Sequence, residues 1–171
     1  MIKYLFFILL IIFLIIINKY QNNFGDIIGT FNGVNSYSNK ENKANKTNLL
    51  DVNYHNGIYT GVKWECVEYA RRYLQITKGI TFNNVDSAFE IPQAKFTKLD
   101  GSNVYPHNKL EIGSLIVWDK YYEHDAPDGH VGVISSIHNN GISVGEQNYD
   151  NKTFPRFISW NDLNNCKIIS F

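Results

Sequence analysis

Gly61-Val62-Lys63-Trp64-Glu65-Cys66-Val67-Glu68-Tyr69-Ala70-Arg71-Arg72-Tyr73-Leu74 is the stretch on which the reading of this chain turns. Val67, Ala70, Leu74 and Thr77 recur at helical spacing and Gly79 supplies a stop, so 65–78 reads as one amphipathic helix. Cys66 then stands in the first turn. A sulfur there faces free backbone N–H groups and the positive end of the helix dipole, and both favour the anion. The plain alternative is a small buried hydrophobe, the common fate of a free cysteine.

Downstream, 86–90 reads as a short helix ended by Pro92, and Lys98-Leu99-Asp100-Gly101 and Tyr105-Pro106 mark turns. Strand-like runs follow at 114–118, 131–137, 142–147, 157–160 and 167–171. One leading helix followed by an antiparallel meander is an α+β domain. A papain-like arrangement fits it, with a nucleophile at the helix start and its base on the sheet.

Upstream the composition changes twice. Residues 4–17 are an unbroken apolar run between Lys3 and Lys19. Its fourteen residues suit a signal-peptide core and are short for a membrane span. The Leu/Ile/Phe make-up and the lack of a small-x-small cleavage site favour an uncleaved single-pass anchor over 1–18, with a cleaved secretory signal as the alternative. Residues 18–56 hold eleven Asn among Ser, Lys and Gly. Such a stretch has little apolar surface to offset its ordering entropy, so 19–56 is expected to be a flexible tether and 57–171 the folded domain.

Lys+Arg and Asp+Glu both total 16, a formal net charge of zero. No basic stripe offers counterion release to a nucleic-acid backbone. Cys66 and Cys166 are the only cysteines, which is neither a disulfide framework nor a zinc-ligand pattern. No metal or cofactor is expected.

Two further residues give Cys66 a chemical context. His130 opens a strand in Asp128-Gly129-His130-Val131-Gly132, and Glu146 follows in Gly145-Glu146-Gln147-Asn148. An imidazole near the thiol can act as base toward it and as acid toward a leaving amine. Hairpin parity tests the carboxylate. A two-residue turn at Asn140-Gly141 would put positions 130 and 146 on opposite faces. A three-residue loop at His138-Asn139-Asn140 pairs Gly132 with Glu146 and makes His130 its diagonal neighbour, roughly 7–8 Å away at the backbone.

The helix stretch from Gly61 to Leu74 resembles the nucleophile helix of CHAP domains, the cysteine- and histidine-dependent amidohydrolases/peptidases. So do Gly113-Ser114-Leu115-Ile116-Val117-Trp118-Asp119-Lys120, Gly129-His130-Val131 and Gly145-Glu146-Gln147-Asn148. The likeness runs to the branch that hydrolyses glutathionylspermidine and covers about 57–171. It implies a papain-like (NlpC/P60-type) cysteine hydrolase that cleaves an amide through a thioester without a metal. Cys66 would be nucleophile, His130 base and Glu146 orienter. Arg71 and Asn148 would bind the glutathionyl part, and Trp64 and Trp118 are candidate cleft walls. Glu65 stands where those relatives carry Gln, which puts a negative charge beside the nucleophile and suits a cationic substrate such as a polyamine. Peptidoglycan peptides are the alternative substrate, and a membrane-tethered binding module without activity is the reading from another class.

Overall fold

The computed structural model describes residues 22–40, 51–120, 126–149 and 153–171. The apolar run at 4–17 lies outside them, and among the described residues no helix is long and apolar enough to cross a membrane.

The chain opens with two hairpins, β1 (Ile27–Phe31) with β2 (Val34–Tyr37), and β3 (Val52–His55) with β4 (Ile58–Val62). Each turns on an Asn-Gly pair with both residues left-handed, Asn32/Gly33 at φ 49/77 and Asn56/Gly57 at φ 49/77. That is the tight hairpin turn that matches strand twist, and Asn-Gly is its preferred sequence. Helix α1 (Cys66–Lys78) follows and ends on Gly79, whose left-handed φ of 63 closes it.

A small sheet of β5 (Ile80–Phe82), β6 (Phe96–Lys98) and β7 (Asn103–Val104) comes next. The expected short helix at 86–90 is instead a 3-10 helix, Ala88–Gln93, which contains Pro92 rather than ending before it. Its start is capped by Glu90, whose carboxylate accepts the main-chain N–H of Asp86 and Ser87.

The main sheet is antiparallel in the order β11–β10–β9–β8–β12, built from β8 (Leu115–Trp118), β9 (His130–His138), β10 (Gly141–Glu146), β11 (Arg156–Ser159) and β12 (Cys166–Ile169). Side chains alternate between its faces. Leu115, Val117, Val131 and Val133 join Tyr69, Ala70, Tyr73 and Leu74 of α1 in one core. Ile116, Trp118, Ile134, Ile142, Val144 and Ile158 form a second core.

The expected tether at 19–56 departs from this structure in its described parts. Val34 is fully buried in the α1 core, and Phe31 stacks on Tyr73 with ring centroids 5.7 Å apart. Asn32 Nδ2 donates to the Tyr73 hydroxyl at 3.0 Å. Asn-rich composition hid a hairpin that needs only two inward side chains to attach itself. Replacing Val34 by Ala removes buried methyl groups and leaves a cavity, and should cost about 1–3 kcal/mol. Chemical denaturation of the variant checks this; a loss below about 0.5 kcal/mol would make the hairpin a passenger.

Candidate active site

The register of β9 and β10 determines what His130 can meet. Their turn is a two-residue one, with Gly141 opposite His138 and Ile142 opposite Ile137, not the three-residue loop the parity argument required. A bulge between Ser143 and Val144 then shifts the pairing by one, so Glu146 lies opposite Gly132 after all. The expected pairing is therefore reached by a bulge in place of a longer loop. Gly132 is needed there because an added Cβ would stand 2.3 Å from Val144 Cγ1.

On that shared face, His130 Nε2 lies 2.9 Å from Glu146 Oε2, and both residues are buried. Arg156 of β11, which pairs with Val144 two positions before Glu146, reaches the same carboxylate. Its Nε donates to Oε1 and its Nη2 to Oε2, the latter at 3.1 Å. Trp118 pairs with His130 across β8 and β9 and lies 5.8 Å from its ring, while Tyr149 lies 5.7 Å from it.

Cys66 lines the same cleft as His130, and its sulfur acts on the imidazole. With Nε2 on Glu146, Nδ1 is the nitrogen left to face it. Burial by itself would push the His130 proton off. The charge and hydrogen bond of Cys66, then those of Glu146, outweigh it and push His130 up to about 10. Glu146 moves the other way. Burial raises it, but the bonds and charges of His130 and Arg156 win and hold it below the ordinary carboxylate range.

The N-terminal end of α1 and the strand end after Glu146 are tied together by Gln147, which is fully buried. Its Nε2 donates to the Glu65 carbonyl at 3.1 Å and to Glu68 Oε2 at 3.0 Å. Its Oε1 accepts the Tyr37 N–H at 2.8 Å. Ser36 Oγ donates to the Glu146 carbonyl at 2.6 Å, so β2 braces the same turn.

Cys66 and His130 border a cleft of about 1030 Å³, whose lining also includes Glu65, Arg71, Asn148 and Tyr149. Asp86 and Asp128 stand on its wall, giving it three carboxylates with Glu65. Glu65 does not simply point to water. Asn39 Nδ2 holds its Oε1 at 3.1 Å and Asn148 Nδ2 its Oε2 at 2.5 Å. No group of His, Cys, Asp and Glu suited to a metal ion occurs among the described residues.

Two expected substrate contacts have other duties. Trp118 is fully buried and packs beneath His130 instead of walling the cleft. Arg71 lines the cleft, yet its guanidinium donates to the carbonyls of Thr60, Phe82 and Asn83 and lies 4.4 Å from the Phe82 ring centroid. It braces the wall, with donors left over. Trp64 packs on Tyr37 at 4.1 Å. Arg156, Tyr149 and Gln147 went unnoticed in the sequence. The expected strand at 157–160, had it been paired with 142–147, would have put Arg156 diagonal to Glu146.

A family model for the CHAP domain matches residues 57–148. The chain belongs to the CHAP family. Among its relatives, the bifunctional glutathionylspermidine synthetase/amidase of Escherichia coli (strain K12) is 30% identical over 151 residues, covering 80% of this chain and 24% of the relative. Trypanothione synthetase of Crithidia fasciculata is 28% identical over 152 residues, covering 80% of this chain and 21% of that protein. The chain thus spans less than a quarter of the length of these relatives. CHAP membership implies the papain-like cysteine hydrolase fold, with which this mixture of helix and antiparallel strands agrees. Together with the amidase relative it supports a cysteine amide hydrolase in general.

The coupling between sulfur, imidazole and carboxylate has a spectroscopic consequence. His130 should remain an imidazolium through pH 9, with its midpoint near 10. Cys66→Ala removes the first of the raising influences, so the midpoint should fall. Histidine side-chain NMR titration reads both. A midpoint near the ordinary value of about 6.5 in both proteins would contradict the coupling.

Proposed function

We propose that this CHAP domain is a cysteine amidase that works through a thioester, with Cys66 as nucleophile at the head of α1, His130 as acid and base, and Glu146 as orienter. The observation that carries this is the position of His130 in the cleft that Cys66 also lines, with its Nε2 bonded to the buried Glu146.

The steps follow from that arrangement. The Cys66 thiolate adds to the carbonyl carbon of the amide. As the tetrahedral intermediate collapses, the imidazolium gives its proton to the nitrogen, the C–N bond breaks and the amine leaves. The sulfur is now an uncharged thioester, so the strongest influence that kept His130 protonated has gone. The neutral ring then takes a proton from water, whose oxygen attacks the thioester carbonyl. The acid departs and the thiolate–imidazolium pair is restored. Losing and regaining the sulfur charge thus switches His130 between acid and base.

For substrate we propose a peptide–polyamine amide of the glutathionylspermidine kind. The amidase relative supports it, and so do Glu65, Asp86 and Asp128, which favour a cationic leaving amine. Asn148 and the remaining donors of Arg71 would face the peptide part.

Hydrolysis of glutathionylspermidine and of purified peptidoglycan, assayed side by side, tests this. Release of spermidine is expected. Peptidoglycan cleavage alone would move the substrate to cell-wall peptides, and no turnover of either would leave a binding module. Cys66→Ala should abolish turnover. Glu146→Gln should lower kcat by about 10²-fold or more, because a neutral amide stabilises the imidazolium less. An unchanged kcat in that variant would demote Glu146 to a structural residue.

A further inference from the structure

Arg156 lies beyond the residues matched by the CHAP family model, on a strand none of whose residues lines the cleft. It nevertheless makes the largest polar commitment to Glu146. Its guanidinium grips the carboxylate with two N–H groups, and Oε2 receives both Arg156 Nη2 and His130 Nε2. A bidentate fork fixes the plane of a carboxylate as well as its charge.

Arg156 is itself held by rings. Its Cζ lies 3.8 Å from the Tyr149 ring centroid and 5.5 Å from that of Trp118. These are the same two rings that flank His130. Imidazolium and guanidinium therefore share aromatic neighbours that stabilise cations on their faces, with Glu146 between the two charges. From His130 through Glu146 to Arg156, the charged groups alternate in sign.

We infer that Arg156 is a positioning residue for the reaction: its fork keeps Glu146 ionised and turned toward His130, and so keeps the imidazolium beside Cys66 in place. This rests on the Cys66–His130–Glu146 reading above. A buried carboxylate with a histidine as its sole partner can take the proton back and leave a neutral acid beside a neutral ring, which no longer stabilises the thiolate. The second cation opposes that transfer. The direction of the Glu146 titration agrees, since Arg156 is among the groups that hold it down. The other titratable groups near this carboxylate are His130 of β9, Tyr69 of α1 and, through His130, Cys66 of α1. Tyr69 stays protonated throughout, because burial raises it far above its usual value.

The test is alkylation of Cys66 by iodoacetamide across pH in the 171-residue chain carrying Cys166→Ser, so that one thiol reports. Each protein is normalised to its own rate at pH 7.5. Arg156→Gln should move the acid limb up by about one pH unit, which is about tenfold slower alkylation below the limb. Arg156→Lys, which keeps the charge and lessens the risk of misfolding, should bring the limb back toward wild type. In a Glu146→Gln background, Arg156→Gln should change nothing further. An acid limb left in place by Arg156→Gln, with only a lower melting temperature, would make Arg156 structural and overturn the inference. If Glu146→Gln itself leaves the profile untouched, the fault lies instead with Glu146 as orienter.

Discussion

A buried ion pair between Glu68 and Arg72, one turn apart on α1, is the constraint on which this structure depends. Glu68 is fully buried and Arg72 nearly so. Arg72 Nε donates to Glu68 Oε1 at 2.7 Å and Nη2 to Oε2 at 3.1 Å. The carboxylate also accepts Asn53 Nδ2 at 2.9 Å, Thr60 Oγ1 at 3.0 Å and Gln147 Nε2 at 3.0 Å. Arg72 Nη1 reaches the Asn35 carbonyl at 2.8 Å. An isolated buried charge would be costly, and breaking such a pair typically costs about 3–5 kcal/mol. Here each charged atom is satisfied, and the partners come from three other parts of the fold. One cluster joins both N-terminal hairpins, α1 and the strand end beyond Glu146.

That cluster explains how Cys66 and the distant His130 and Glu146 are brought together. Cys66 precedes Glu68 by two residues and Glu146 immediately precedes Gln147. Gln147 bonds both Glu68 and the carbonyl of Glu65, so the helix start and the strand end are fixed relative to one another. On the far side of Glu146, Arg156 and the rings of Trp118 and Tyr149 provide a second anchor. Cys66, His130 and Glu146 therefore sit between two frames. Within a site kept largely from water, interactions between their charges are stronger than they would be at the surface. Polar donors aimed at charges that persist or form during reaction need little rearrangement, which is how preorganised sites lower barriers.

Much of this was legible in the sequence wherever a local rule determined the outcome. The 3.6-residue periodicity gave α1 to within a residue, and alternating apolar runs gave the five strands of the main sheet to within a residue or two. Strand parity was the test of whether His130 and Glu146 could meet, and a bulge rather than the expected three-residue loop brings them to one face. The hairpins at 27–37 and 52–62 were missed despite their Asn-Gly turns, because a low apolar content over 18–56 was weighed above the turn chemistry. Glu68 and Arg72 stand at ordinary helical spacing, and their burial depends on residues far along the chain, which no local pattern reveals. The same holds for the carbonyls that Arg71 braces and for the burial of Trp118. Arg156 required knowing which strand lies beside β10.

The central claim is that Cys66 forms a covalent acyl intermediate. Rapid acid quench of the enzyme during turnover of glutathionylspermidine, followed by intact mass and peptide mapping, tests it most directly. The account predicts a glutathionyl acyl group on the peptide containing Cys66, removable by hydroxylamine and accumulating when water attack is slowed in Glu146→Gln. Spermidine release by a Cys66→Ala protein, or turnover with no adduct on that peptide under any quench time, would contradict it.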